Sequence, residues 1–182
     1  MAAALLGAVV RVGEVAVRLT EVEAYAGTDD PAAHAYRGWR PHNRHLFEAP
    51  GTLYCYRSHG LHTCANVVCG PAGSGSAVLL RAGRVIDGVD VARQRRGTVP
   101  DDRLARGPGC LGQALGLSLA DSGRRFGEPG LSLELSARVA HVAGPRVGVS
   151  VAHARPWRLW IEGDPTVSAY RASPRISDPD SW

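Results

Sequence analysis

Two carboxylates and a phenol alternate in the segment E-V-E-A-Y, at residues 21–25. In an extended strand, alternate side chains point to the same face of the sheet, so Glu21, Glu23 and Tyr25 would lie side by side. A carboxylate is a common general base. Two carboxylates on one face are either solvated or functional, and the pattern alone leaves both interpretations open.

A histidine and two tyrosines follow this segment. His34 lies within D-D-P-A-A-H-A-Y-R-G, and Tyr54 and Tyr56 alternate in L-Y-C-Y, which places both rings on one side of the next strand. A lone histidine is more often structural than catalytic, and paired tyrosines also occur in ordinary cores. The roles of these residues therefore depend on the motifs around them.

The segment from His59 to Cys69 combines two histidines with two cysteines, so a metal site has to be considered. Its spacing, H-x-x-H-x-C-x-x-x-x-C, matches none of the usual zinc patterns. Four cysteines in the chain, without a secretory signal, do not indicate a disulfide framework. We therefore expect no metal and no other cofactor, and we predict buried or half-buried thiols.

All 21 basic residues are arginines, so the chain offers no lysine amine as a nucleophile. The net charge of +4 is compatible with a polyanionic partner. An apolar share of 45% over 182 residues favours one globular domain. Met1 to Val10 is interpreted as core-forming rather than as a signal peptide, and no apolar run has the roughly 18 residues that span a bilayer. We expect a cytoplasmic protein without a membrane partner.

Short strands must carry these residues. Alternating apolar positions over 8–25 predict a hairpin that turns near Gly13. Residues 26–51 predict an extended functional loop around one helical turn. Five further strands are predicted at 51–56, 65–70, 76–85, around 131–140 and around 156–162.

Two short helices complete the predicted elements. The first runs from Asp87, as N-cap, to Arg96, with Gly97 as its stop. The second covers 110–117 and follows the G-P-G at 107–109. Because no βαβ alternation and no dinucleotide fingerprint occurs, we predict a single α+β domain with a curved, mostly antiparallel β-sheet, flanking short helices and long functional loops. The domain is expected to cover 1–171, followed by a polar tail at 172–182.

Seven sequence strings, in order, resemble the alkyladenine (3-methylpurine) DNA glycosylases. They occur at compatible spacing over about residues 4 to 170, and the set is much more specific than any single string. The strings are L-T-E-V-E-A-Y, A-A-H-A-Y-R-G, N-R-H-L-F-E-A-P-G-T-L-Y-C-Y, C-A-N-V-V, A-V-L-L-R-A, G-P-G-C-L-G-Q-A-L and R-V-G-V-S.

The resemblance implies a hydrolytic reaction centre. Glu23 stands at the position of the family's general base, where a carboxylate deprotonates a water and offsets the positive charge that develops on the sugar. Arg81 corresponds to the arginine that helps to position this water and Glu23. Hydrolysis of the N-glycosidic bond would then proceed through water attack at C1′.

The resemblance also implies a pocket for a flipped-out base. Aromatic walls favour electron-poor or cationic purines, because a ring face attracts positive charge. Asn66 would lie beside the two-position of the purine and would crowd the amino group of guanine. The residues assigned to the pocket are Tyr25, His34, Tyr56, Asn66, Val147 and Gly148.

One position departs from the family pattern. Where the family has a tyrosine that wedges into the duplex in place of the extruded base, this chain has His59. A histidine stacks and forms hydrogen bonds, but it offers less apolar surface. The resemblance therefore assigns DNA intercalation to His59 with the strength of the wedge left open.

The densest basic stretch is expected to contact the DNA backbone. Phosphate contacts orient a duplex without reading its sequence. The residues are Arg93, Arg95 and Arg96, with Arg103 and Arg106 nearby, and the G-P-G at 107–109 could offer backbone amides to a phosphate. A solvated helix face is the alternative interpretation of this stretch.

The resemblance as a whole predicts a monofunctional DNA glycosylase without lyase activity. Its expected substrates are alkylated or deaminated purines of the 3-methyladenine, 7-methylguanine and hypoxanthine type in double-stranded DNA, as the first step of base excision repair. We expect a cytoplasmic, nucleoid-associated monomer. A non-catalytic, zinc-containing nucleic-acid-binding module and a hydrolase of free nucleosides or RNA are the alternatives.

Overall fold

One antiparallel sheet of nine strands organises the computed structural model, which describes residues 1–176. The long strands β2 (Val15–Ala26) and β5 (Ser76–Asp87) pair at its centre. The other strands are β1 (Val9–Val12), β3 (Leu53–Ser58), β4 (His62–Val68), β6 (Ala105–Arg106), β7 (Leu131–Glu134), β8 (Val142–Gly144) and β9 (Arg158–Trp160). The order along the sheet is β3-β4-β5-β2-β1-β7, while β6 pairs with β5 and β9 joins β2 to β8. The predicted α+β domain with a curved, mostly antiparallel sheet is confirmed.

Within residues 1–176, three short α-helices flank the sheet: α1 (Ala2–Leu5), α2 (Val89–Arg96) and α3 (Pro108–Leu115). The prediction of Asp87 as the N-cap of α2 is wrong. Asp87 ends β5 and forms an ion pair with Arg11, and Gly88 occupies the cap. The stop at Gly97 is confirmed by its left-handed φ of 71°.

The predicted helix at 110–117 begins two residues earlier, at Pro108. Its G-P-G therefore supplies the cap and the first turn, because proline suits the first helical position. Gly112 lets α3 lie directly on β4, since a Cβ atom there would be 2.0 Å from the carbonyl oxygen of Thr63. Gly112 thus has a packing role.

Other boundaries differ from the sequence prediction in detail. The β1–β2 hairpin turns at Gly13 as predicted. The loop at 26–51 contains two 3-10 segments, Gly27–Asp29 and Pro41–Phe47, instead of one helical turn. Of the range 131–140 only Leu131–Glu134 (β7) is a strand, while β8 begins beyond that range at Val142, and the strand expected around 156–162 covers only Arg158–Trp160. Two further 3-10 turns lie at Asp101–Arg103 and Leu119–Asp121.

Two bulges at the centre of the sheet exchange its faces. Thr20 is an extra residue in β2, and Arg81 is an extra residue in β5. Because each strand has one extra residue, the strands pair in the same register before and after the two bulges. Before the bulge Val15, Val17 and Leu19 point into the core, whereas after it Val22 does. A bulge re-aims the side chains that follow it. It therefore turns the odd-numbered residues from 21 onward away from the core.

The main core lies on the face of the sheet that the three helices cover. Leu5 and Leu6 are buried in it, which agrees with a core-forming N-terminal segment. A smaller apolar cluster lies beneath the loop after β2 and contains Ala35, Leu46 and Tyr54. Residues 172–176 of the predicted tail are exposed or half-buried, and residues 177–182 lie outside the described part of the chain.

Candidate active site

A cavity of about 390 Å³ opens on the face of the sheet opposite the main core. Strands β2 to β5 supply one side, and the loops at 32–34 and 147–149 supply the other. Eight residues that the sequence analysis assigned to the site line it: Tyr25, His34, Tyr56, His59, Asn66, Arg81, Val147 and Gly148. The fold thus brings most of the predicted site together from segments that are far apart in the chain.

Glu23 lies directly beneath this cavity and is completely buried. Its Oε1 accepts a hydrogen bond from the amide of Val147 at 2.7 Å and faces Nη1 of Arg81 at 3.3 Å. Its Oε2 accepts from the hydroxyl of Tyr25 at 2.9 Å. An ionised carboxylate offers about four acceptor positions. These three neighbours leave one of them for a water molecule.

Glu21 anchors Arg81 from the other side. Its carboxylate accepts hydrogen bonds from Nε of Arg81 at 2.9 Å and Nε of Arg158 at 2.6 Å, and also from the amide and hydroxyl of Ser168. Burial alone would raise the pKa of Glu21, but the two guanidinium groups outweigh it and lower that pKa. Glu21 is therefore a charged anchor that fixes Arg81 beneath the cavity.

Burial would lower the pKa of the Arg81 guanidinium, but Glu23 and Glu21 raise it. Arg81 thus faces both carboxylates as a permanent cation. Arg81 continues the row of Ala77 and Leu79 that faces the cavity, and the bulge at this residue marks where the faces of β5 exchange.

Three aromatic side chains and a histidine form the walls. Tyr54 and Tyr56 are stacked with ring centroids 5.9 Å apart, and the ring of His34 meets Tyr56 edge-on at 4.5 Å. Burial raises the pKa of Tyr25, and the charge of Glu23 raises it further. The Tyr25 hydroxyl therefore stays protonated at neutral pH and acts as a donor to Glu23.

His34 sits at the mouth of the cavity and keeps access to solvent. Its Nδ1 lies 3.3 Å from the Tyr54 hydroxyl, and its backbone carbonyl accepts a hydrogen bond from the buried Asn43. Partial desolvation by the neighbouring rings, together with His42, lowers the pKa of His34. A neutral imidazole therefore dominates at pH 7.

Asn66 is buried in the cavity wall. Its side-chain nitrogen donates to the backbone carbonyl of Tyr54 at 3.2 Å. Among the described residues, its amide oxygen has no hydrogen-bond partner. The side chain is thus held at a fixed depth, with one polar atom left for whatever enters the cavity.

The loop that carries Val147 and Gly148 is fastened by residues that the sequence analysis missed. Arg146 is 1% exposed and forms a buried ion pair with Asp30. Arg146 lies within the R-V-G-V-S string and Asp30 within D-D-P-A-A-H, but no local pattern links residues 116 positions apart. Tyr54 was also missing from the predicted set, although its spacing of two from Tyr56 was a usable signal.

His59 occupies the tip of the β3–β4 hairpin, beside the cavity. It has a left-handed φ of 50°, and its Nδ1 lies 3.0 Å from the hydroxyl of Ser58. Leu61, two residues further, is 78% exposed. The hairpin thus presents one imidazole and one aliphatic side chain at the rim.

The predicted phosphate-contacting arginines lie away from the cavity and make contacts within the protein. Arg93 forms ion pairs with Asp90 and Asp101. Arg95 donates to the carbonyl of Ala114, and Arg96 donates to that of Leu104. These bonds tie α2 to α3 and to the following turn. Contact of the three arginines with DNA stays a prediction.

Among residues 1–176, no group of three or more His, Cys, Asp or Glu side chains is arranged to hold a metal ion. The four thiols are free, with Cys55 and Cys64 buried and Cys69 and Cys110 half-buried. None of the helices in the described part of the chain combines the length and apolarity needed to span a membrane.

Comparison with known proteins agrees with this geometry. Residues 1–165 match the family model described as methylpurine-DNA glycosylase. A protein of Mycolicibacterium paratuberculosis is 52% identical, covering 96% of this chain and 89% of its own length. Relatives from Nocardia farcinica (52% identical, 94% of this chain, 86% of its own length) and Cutibacterium acnes (51% identical, 92% of both chains) are similar as well. All three carry the provisional name 3-methyladenine DNA glycosylase.

The family match covers nearly the whole of the described chain, including every strand of the sheet and the segments that form the cavity. The chain therefore belongs to the methylpurine-DNA glycosylase family, whose members are hydrolases that act on the N-glycosidic bond.

Proposed function

We propose that this protein is a monofunctional DNA glycosylase that removes alkylated or deaminated purines from double-stranded DNA. The observation that carries the proposal is the position of Glu23, a buried carboxylate held by Arg81 and Tyr25 beneath an aromatic cavity. The substrates would be of the 3-methyladenine, 7-methylguanine and hypoxanthine type. The cavity volume of about 390 Å³ is of the size that small-molecule sites commonly have.

The base would enter this cavity by leaving the helical stack. Because the target bond is inaccessible inside a duplex, an enzyme that acts on it must extrude the nucleotide. Tyr25 would cover one face of the base, while Tyr56 and His34 would cover the other side. A cationic alkylpurine gains more from these π faces than a neutral base does. Asn66 would disfavour guanine by crowding its amino group, and for 7-methylguanine the interaction of its positive charge with the π faces would offset that penalty.

The chemistry would then consist of one displacement. A water held against the free acceptor position of Glu23 would attack C1′, and its proton would pass to the Glu23 carboxylate. The new C–O bond forms as the N-glycosidic bond breaks, and the electron pair of that bond leaves with the purine. Arg81 would hold the Glu23 carboxylate in its orientation. The products are a free base and an abasic site.

Two elements beside the cavity would hold the duplex. The hairpin tip, with His59 and the exposed Leu61, would fill the gap in the stack that the flipped base leaves. Arg93, Arg95 and Arg96, together with the amides of Gly107 and Gly109, would meet phosphates. We expect a cytoplasmic, nucleoid-associated monomer.

Excision from a panel of single-lesion duplexes tests the function. Each duplex carries 3-methyladenine, 7-methylguanine, hypoxanthine or no lesion, and cleavage is scored on gels with and without alkali. We expect strand breaks only after alkali and only for the lesions. Absence of excision from every duplex would contradict the function.

Borohydride trapping tests the monofunctional mechanism. Because the chain has no lysine, no side-chain amine is available to form a Schiff base with C1′. Incubation with a lesion duplex and borohydride should therefore leave the protein unmodified. A covalent protein–DNA adduct, or strand scission without alkali, would mean that an amine rather than water attacks the sugar.

A further inference from the structure

One buried arginine connects three of the chain segments near Glu23. Arg146 is among the largest fully buried side chains of the described chain, and its partner Asp30 is also completely buried. Nη2 of Arg146 donates to Oδ1 of Asp30 at 2.9 Å, and Nη1 donates to Oδ2. Nη1 also donates to the carbonyl of Ala24 in β2 at 3.1 Å. The guanidinium thus joins the loop after β8 to the end of the strand that carries Glu23.

Asp30 extends this connection to the loop that carries His34. Its Oδ1 accepts from the amide of Ala32 at 3.1 Å, and its Oδ2 accepts from the amide of Ala26 at 3.4 Å. The opposing guanidinium charge and these hydrogen bonds outweigh the effect of burial and lower the pKa of Asp30. Three chain segments therefore meet at one charged pair.

Two of the neighbours of Glu23 depend on Arg146 directly. The next residue in the chain, Val147, donates its amide to Glu23 at 2.7 Å. The guanidinium also lies over the ring of Tyr25, 4.7 Å from its centroid, and the hydroxyl of this ring donates to Glu23 at 2.9 Å. A shift of Arg146 would therefore move both donors at once.

Stability alone does not account for such a pair. Well-packed apolar residues in place of a buried ion pair are often neutral or stabilising. The planar fork of arginine, however, binds a carboxylate with two parallel hydrogen bonds and stacks on a ring at the same time, which an ammonium group does not do.

We propose that Arg146, held in place by Asp30, is a positioning residue for Glu23. It sets the Val147 amide and the Tyr25 hydroxyl at the distances that hold the carboxylate ready for water. This inference rests on the proposed function, in which Glu23 is the general base.

The substitution Arg146→Lys tests the proposal. Lysine keeps the charge opposite Asp30, but it loses the paired hydrogen bonds to Asp30 and the stacking of the guanidinium on the Tyr25 ring. We expect the single-turnover excision rate at saturating enzyme to fall roughly tenfold or more, as small misplacements of reacting groups do. The enzyme concentration for half-maximal rate should change much less. In hydrogen-exchange NMR, the Val147 amide should exchange faster than in the parent protein.

Arg124→Lys is the matched control, because Arg124 pairs with Asp121 at 3.0 Å away from the cavity. It should leave both the excision rate and the exchange of Val147 unchanged. If Arg146→Lys does not fold, the double substitution Asp30→Leu with Arg146→Met removes both charges together, and we expect the same two losses.

A folded variant at either position with the parent excision rate and a protected Val147 amide would overturn the positioning role. If the parent protein excises no purine lesion, the proposed function fails instead, and the exchange of the Val147 amide still decides whether Arg146 positions this loop.

Discussion

Glu23→Gln separates the chemistry at Glu23 from its structural role. Glutamine keeps the shape of the side chain and one carbonyl oxygen for the Val147 amide, and the Tyr25 hydroxyl can rotate to accept from the new amide group. Arg81 retains its 2.9 Å hydrogen bond to Glu21. We therefore expect a loss of about 1–3 kcal/mol in the free energy of unfolding, the cost of one imperfectly matched buried group.

The effect on excision should be much larger per folded molecule. Loss of a general base typically costs about a hundredfold or more in rate, which corresponds to about 2.7 kcal/mol in the barrier. The measurement is single-turnover excision of 7-methylguanine with enzyme in excess, alongside DNA binding by fluorescence anisotropy, which should survive. Glu14→Gln, an exposed position in the β1–β2 turn, is the control. Near-normal excision by the folded Glu23→Gln variant would refute the assignment of Glu23 as the base.

Three further predictions follow from the cavity and its anchors. Replacing Tyr25 or Tyr56 with leucine should weaken excision of cationic 7-methylguanine more than that of neutral hypoxanthine, by on the order of 1 kcal/mol, and equal losses in the two rates would indicate simple packing. His59→Ala should lower the fluorescence of 2-aminopurine placed beside the lesion while His59→Tyr maintains it, and identical signals from all three proteins would assign the wedge to another residue. Because Arg81 and Arg158 lower the pKa of Glu21 against the effect of burial, the charged form stabilises the fold above the unfolded pKa of about 4.3, and this contribution disappears as pH falls through the lower folded value. The free energy of unfolding, measured by denaturant titration, should thus fall more steeply below about pH 4 in the parent protein than in Glu21→Gln. Parallel pH curves for the two proteins would contradict the role of Glu21 as a charged anchor.

The sequence predicted the residues at the cavity better than the contacts that hold them in position. Strand alternation correctly grouped Glu21, Glu23 and Tyr25, because all three follow the bulge and share one face. The bulge itself had no signal, since Thr20 is neither glycine nor proline and fits a regular strand equally well. The anchoring of Arg81 by Glu21 follows from that bulge and was therefore not predicted.

Long-range pairing explains the other differences. A sequence shows which residues are charged, but it does not show which partner lies across the fold. Arg146 and Asp30 are 116 positions apart and form the most buried ion pair of the described chain. Arg93 is predicted from the sequence to contact the DNA backbone, and the sequence does not show its ion pair with Asp101, which lies eight positions away, beyond the helix end. Local patterns predicted elements and motifs, while these pairs required the three-dimensional fold.

The matched bulges at Thr20 and Arg81 constrain how this gene can change length. Deleting residue 20 alone would restore straight alternation in β2 and turn Glu21, Glu23 and Tyr25 toward the apolar core. Three polar groups would then replace the aliphatic side chains that continue the row of Val17 and Leu19. The strand across the sheet would meanwhile keep its own extra residue without a counterpart. A one-codon deletion at either position should therefore disrupt the site, and a second deletion in the other strand would restore the register without turning these side chains back, whereas the exposed β1–β2 turn should accept single changes in length.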